Sequence, residues 1–290
     1  MPNAILYYLR FIYLNLLLCI SALYGTIASI VVTLIGKQYL AQYLTARFYF
    51  NVIKYCMGID VEMINEEGLR DTKPYIAVSN HQSALDIFML SRAFQPGCTV
   101  TAKRSLQYVP FLGWFMTLSG TYFLDRKNRE KSVHTLNSSL QQLTRKKRAL
   151  WIFAEGTRSY TEELSILPFK KGAFHLAREG KIPIVPVVVS NTSSIFCPKR
   201  KILNKGKIIV KVLDPISTAD LQKEDVGDFA ERVREKMLKE LQGIGYSRAI
   251  DETGLPPKAA EWLATHEKEK EERKPDVAAA VTTGAEIHAE

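Results

Sequence analysis

The chain has 290 residues, 47% of them hydrophobic, enough for a sizeable core in one large or two small domains. Its net charge of +9 is uneven: ten acidic and five basic residues from Asp251 onward leave −5 there, so residues 1–250 carry +14. So positive a body points to an anionic partner, whether nucleic acid, a phosphate-bearing substrate or a membrane surface. The four cysteines (Cys19, Cys56, Cys98, Cys197) have no CxxC or histidine pairing, so neither a zinc site nor a disulfide framework is indicated.

Phe11 to Gly36 carries no charge over 26 positions and is bracketed by Arg10 and Lys37. As a helix it would reach about 39 Å, against a hydrocarbon core of about 30 Å. The run is too long for a signal peptide, and no small-residue cleavage site closes it. Whether it continues straight or bends near Gly25 into a hairpin stays open. Lys37, Arg47 and Lys54 follow it, which puts the body on the cytoplasmic side. Tyr39, Leu40, Tyr43, Leu44, Phe48, Val52 and Tyr55 then recur at helical spacing, as a core-facing or an interfacial helix. Residues 1–57 are thus expected to form membrane-embedded and interfacial helices.

From residue 58 the pattern is that of an α/β protein. Strand-like runs fall at Tyr75–Ser79, Thr99–Ala102, Thr121–Leu124, Ala149–Phe153, Ile184–Val189 and Ile208–Leu213. Helix-like segments lie between them, clearest at Asn128–Lys146, Gly172–Glu179 and Asp228–Leu241. The alternation predicts one α/β domain over residues 58–250, on a largely parallel or mixed sheet flanked by helices. Residues 251–290 read as a charged, mostly disordered tail.

The chemistry concentrates first at Asn80-His81-Gln82-Ser83-Ala84-Leu85-Asp86, between the first of those strands and a helix start. Along a regular helix five residues turn through about 140°, so His81 and Asp86 meet only if the histidine lies in the corner and the aspartate in the first turn. Asp86 would then fix the tautomer of a histidine base. Ser83-x-x-Asp86 is equally a helix-capping signature, and on this stretch alone the two readings stand level.

Three further clusters sit at strand ends, where ligands of open α/β sheets gather. They are Gly120-Thr121-Tyr122-Phe123-Leu124-Asp125-Arg126, Phe153-Ala154-Glu155-Gly156-Thr157-Arg158, and Ile182-Pro183-Ile184-Val185-Pro186-Val187. The last, broken by two prolines, is expected to be an edge or irregular strand. Trp114 reads as core or membrane contact. Each cluster alone has a plain structural reading as a surface helix start, a turn or core. Together Lys103, Arg126 and Arg158 put cations beside strand ends in the same body as His81, which suits a substrate with a hydroxyl and a phosphate.

In order and spacing, the NHx4D, GxxFLDR, EGTR and PIVP blocks resemble the glycerolipid acyltransferase family, and the similarity covers about residues 10 to 255. One departure is Ala154, where the family usually has proline. The resemblance implies an acyltransferase domain that moves a fatty acyl group from acyl-CoA to the 2-hydroxyl of lysophosphatidic acid. It implies His81 as general base and Asp86 as its orienter, with Lys103, Arg126 and Arg158 on the glycerol phosphate. Backbone N–H groups of Gly156 and Thr157 would hold the oxyanion, and Glu155 would position the glycerol or the arginines. No cofactor or metal is expected, since acyl-CoA is a co-substrate, and no nucleic acid. The expected setting is the bilayer of the endoplasmic reticulum, the domain facing the cytoplasm, or a lipid droplet. The competing readings are an acyltransferase for other lysophospholipids or glycerol 3-phosphate, and a non-catalytic lipid-binding protein.

Overall fold

The computed structural model describes residues 4–125, 128–250 and 254–272. The apolar run lies in one continuous helix, α1 (Ala4–Leu34), which does not break at Gly25. Gly36 in a left-handed conformation then reverses the chain into α2 (Ala41–Met57). The pair is antiparallel: Tyr24 stacks on Phe48 at 4.1 Å, and Arg10 donates to the Met57 carbonyl at the other end. Small residues let the two backbones approach. A Cβ on Gly25 would lie 2.5 Å from Thr45 Cγ2, and the buried Ser21 and Ser29 hydroxyls return to carbonyls of their own helix. The opposite wall of α1 exposes Leu9, Ile12, Leu16, Leu23, Ile27 and Leu34. On α2 the buried face is Gln42, Thr45, Tyr49 and Ile53, so the aromatic stripe read from Tyr39 to Tyr55 lies on the half-buried and exposed side.

The body follows as β1 (Ile59–Ile64), α3 (Glu67–Asp71), β2 (Tyr75–Ser79), α4 (Asp86–Ala93), β3 (Cys98–Lys103), α5 (Leu112–Leu118), β4 (Tyr122–Leu124), α6 (Arg129–Arg145) and β5 (Ala149–Phe153). It continues with α7 (Gly172–Gly180), β6 (Ile184–Val189), β7 (Phe196–Cys197), β8 (Ile202–Leu203), β9 (Gly206–Val212), α8 (Val226–Ile244), β10 (Arg248–Ala249) and α9 (Pro257–Glu272). The main sheet is mixed, in the order β1-β9-β6-β2-β5-β3-β4, with β10 on β9. Side chains alternate across it with period two. Tyr75 and Ala77 of β2 join the core under α1, α2 and α4; Ile76 and Val78 join the one under α6, α7 and α8.

Of the two readings of the Pro-Ile-Val-Pro strand, edge or irregular, the structure excludes the edge: β6 lies between β9 and β2 and is buried along its whole length. It is irregular at Pro186, whose carbonyl accepts from Leu213; the next bond on that side is the Ile184–Ile216 bridge, so the donor it lacks falls in the interruption of the ladder between Leu213 and Ile216. The stretch from residue 251 is not all loose tail, either. α9 docks through Ala259, which is fully buried, and through Trp262, which tilts over Tyr246 and fills the space beside Gly245. Trp114 is 54% exposed beside α1, which excludes the core reading for it.

Candidate active site

β2 delivers His81 to the carboxyl end of the sheet, and the side chains around it hold the turn in place. The Asn80 amide pairs reciprocally with the backbone of Val189 at 2.9 Å both ways, acting as one more residue of the β2–β6 ladder. Gln82 accepts from Thr192 N–H and donates to the Val189 carbonyl. The loop after β5 closes over the turn: Ser159 N–H donates to the His81 carbonyl and Tyr160 N–H to that of Gln82.

Within this frame His81 Nδ1 lies 2.6 Å from Asp86 Oδ2, and the ring stacks on Phe153 at 4.2 Å. The same Oδ2 accepts from the backbone N–H groups of Gln82 (2.7 Å) and Ser83 (3.1 Å). Capping and orienting are therefore one arrangement, in which the first-turn carboxylate closes the helix entry and grips the ring. Asp86 is 1% exposed, and its Oδ1 is buried without a hydrogen-bond partner. Ser83 Oγ serves the turn, accepting from Leu85 N–H and pairing with Thr192 Oγ1.

Glu155 is buried, and its two carboxylate oxygens accept from His81 N–H (2.6 Å) and Leu167 N–H (3.1 Å). Burial pushes its pKa up to about 7, partly offset by those two donors, with the Asp86 charge adding to the rise. The Gly156 N–H donates to the Phe153 carbonyl. Its φ of +71° favours glycine, and the Lys170 side chain passes over it where a Cβ would stand.

A cavity of about 440 Å³ opens beside His81. Its walls are mostly apolar, drawn from α1 (Leu18, Ala22), α2 (Ala46, Tyr49), α4 (Leu90) with the following Phe94, and α5 (Phe115, Met116) over β3. His81, Lys103, Thr157 and Arg158 belong to the same lining. Of the predicted site residues the fold thus gathers four at one cavity and sets Asp86 behind His81. It turns Glu155 and Gly156 inward. Arg126 lies outside the described residues.

Sequence reading missed Lys170, whose exposed side chain crosses Gly156 next to Thr157 and Arg158. A signal was there: Lys170 and Lys171 stand just before α7, at the helix end that disfavours cations unless an anion joins them. Lys171 turns the other way, toward Gly227 of α8.

Residues 60–190, which hold all of these groups, match the family model described as Acyltransferase. The chain is 59% identical over 269 residues to the 1-acyl-sn-glycerol-3-phosphate acyltransferase of Saccharomyces cerevisiae, covering 93% of this chain and 88% of that one. It is 38% identical to the human 1-acyl-sn-glycerol-3-phosphate acyltransferase alpha, over 64% of this chain and 65% of the relative. The crystal structure of the 1-acyl-sn-glycerophosphate acyltransferase of Thermotoga maritima shares the fold, with a TM-score of 0.53 at 21% identity over 77% of this chain and 97% of that one. With nine-tenths of its length aligned to one such enzyme at this identity, the chain belongs to the 1-acyl-sn-glycerol-3-phosphate acyltransferase family.

Proposed function

We propose that the protein transfers a fatty acyl group from acyl-CoA to the 2-hydroxyl of lysophosphatidic acid, giving phosphatidic acid, with His81 as general base. The observation that carries this reading is a His–carboxylate pair whose histidine lines a mostly apolar cavity together with Lys103 and Arg158. With the proton on Nδ1 held by Asp86, Nε2 is the acceptor. It takes the acceptor's hydroxyl proton as that oxygen attacks the thioester carbon. Collapse of the tetrahedral intermediate breaks the C–S bond, and the imidazolium returns the proton to the departing CoA thiolate. The 2.6 Å contact of Nδ1 with Asp86 Oδ2 supports this role, because it fixes the ring's tautomer and orientation.

The acyl chain fits the apolar cavity, and its thioester, already activated, needs no further cofactor. In this reading Lys103, Arg158 and Lys170 meet the acceptor's phosphate and Thr157 the oxyanion; the presence of Lys103, Thr157 and Arg158 in the cavity lining with His81 supports it. Arg126 joins the cationic set on sequence grounds alone.

α1 is long and apolar enough to cross a membrane, and such a helix suggests membrane association. Yet its buried residues run from Tyr7 to Val32, so it is engaged with α2 and the body over nearly its whole length. That supports a helix lying along the interface with its outer wall in lipid. Such an anchor suits a droplet monolayer as well as the cytoplasmic leaflet of the endoplasmic reticulum. The test is to incubate membranes carrying the enzyme with labelled oleoyl-CoA and, separately, lysophosphatidic acid, lysophosphatidylcholine and glycerol 3-phosphate. Label should pass to the first; equal transfer to lysophosphatidylcholine overturns the acceptor assignment.

A further inference from the structure

A second cavity, of about 280 Å³, adjoins the first and shares Tyr160 with it. Gln82, Ser83, Thr192, Ser193, Phe196 and Cys197 are buried there, and Lys199 and Tyr160 are exposed at the margin. Gln82 and Ser83 directly follow His81 in the chain, and Tyr160, whose N–H donates to the Gln82 carbonyl, lines both cavities. Ser83 and Thr192 already satisfy each other, whereas the Ser193 hydroxyl is 5% exposed as a residue and has no hydrogen-bond partner. A buried hydroxyl left unpaired costs stability unless something arrives to pair with it.

We propose that this cavity receives the pantetheine arm of the acyl-CoA donor, with Lys199 at its mouth meeting the phosphates that follow; the proposal rests on the acyl-CoA reading above. With the acyl chain in the apolar cavity and the thioester at His81, the rest of the donor must leave on a different path from the acyl chain. Tyr160 is the wall common to both cavities, so the arm passes over that ring. The chemistry is compatible with the lining: pantetheine is neutral, with two amides, a hydroxyl and an apolar dimethyl segment, and the buried part carries no charged side chain, offering the unpaired Ser193 hydroxyl and the apolar Phe196. A phosphomonoester does not fit there, because two negative charges call for several cations, and those lie in the first cavity. Lys199, as a compact charge at an exposed rim, suits the diphosphate beyond the arm.

The test compares oleoyl-CoA with oleoyl-pantetheine, which lacks the nucleotide and its phosphates, in full-length Ser193→Leu, Ser193→Ala and Lys199→Ala. Wild-type transfer from oleoyl-CoA to lysophosphatidic acid is measured first; its absence refutes the donor reading itself, separately from the cavity. Given that activity, Ser193→Leu, which fills the space, should raise the KM of both donors at least tenfold and leave the KM of lysophosphatidic acid unchanged. Ser193→Ala, which is gentler on folding, should raise both by about fivefold or less, the worth of one neutral hydrogen bond. Lys199→Ala should raise the KM of oleoyl-CoA alone, most at low salt. The proposal is overturned if the Ser193 variants raise the KM of lysophosphatidic acid instead, or if folded Lys199→Ala and Ser193→Ala leave every KM unchanged.

Discussion

The turn that carries His81 and the rim of cations near it, Lys103 and Arg158 in the lining of the same cavity and Lys170 over Gly156, are built differently. At the turn, Asn80, Gln82, Ser83, Asp86 and Glu155 each bind backbone, and the residues themselves are at most 4% exposed. At the rim the two lysines are exposed, and the Arg158 bond is a single contact to the Tyr160 hydroxyl. A base must already stand where the proton leaves, so its position is fixed before substrate arrives. A phosphate brings its own acceptors and can gather mobile cations around itself, so the rim need not be fixed beforehand. The proposed chemistry is thus held by burial and the proposed recognition by charge.

The largest expected effect breaks the turn. His81→Ala should lower kcat by about 10²–10⁴, and Asp86→Asn should cause much of the same loss. The double variant should be little worse than His81→Ala, since the two act as one unit. Single-turnover rates on folded protein decide this, and fully multiplicative losses would uncouple the pair.

At the rim the expected loss is smaller and more even. Arg158→Ala and Lys170→Ala should each cost roughly 10- to 150-fold in acceptor kcat/KM, from about 1.5–3 kcal/mol per charged hydrogen bond. Arg158→Lys should recover only part, having lost the planar fork. Measuring KM for both substrates checks the assignment. A rise confined to acyl-CoA would move these cations to the donor.

Glu155 tests the turn through pH. Its pKa rises from 4.5 to about 7 on folding, so between those values the folded protein holds a proton that the unfolded chain has lost. Its contribution to stability therefore falls as pH rises through that window. In Glu155→Gln the melting temperature should vary less between pH 5 and pH 7.5 than in the wild type. The variant should also lose about 1–3 kcal/mol at pH 5, because an amide NH2 must then face one of the two backbone donors.

Much of this was legible because β2, β5 and β6 are uninterrupted apolar runs and because a five-residue gap between His81 and Asp86 permits only one geometry. β1 escaped notice because Asp60 and Glu62 interrupt its apolar residues on the outward face. The burial of β6 ran against the proline rule, which concerns one N–H and yields where the neighbouring chain departs. The burial of Glu155 could not be read from spacing, since it depends on the backbone N–H groups of His81 and Leu167, which the fold brings to it. The cavity wall was hidden for the same reason: α1 reads as an anchor, and its inner face acquires meaning only beside β3 and α5.

The smallest effect is expected away from both regions. Ending the chain at Pro257 removes the docked part of α9, including Trp262, and should cost roughly 1–2 kcal/mol of stability while leaving both KM values within about twofold. A larger change in kcat would tie α9 to the turn through Tyr246, which donates to the Glu162 carbonyl.

The wall of the acyl cavity has a practical consequence. Leu18, Ser21 and Ala22 belong to α1, the helix proposed to meet lipid, and Gln42, Thr45 and Tyr49 to its partner α2. Anchor and enzyme therefore cannot be separated at residue 57: a fragment trimmed there for solubility would keep its histidine and its arginines but lose one side of the chamber meant to hold the acyl chain. On the proposed interfacial setting, handling this protein in water means replacing the lipid around α1 with detergent or a nanodisc, not removing the helix.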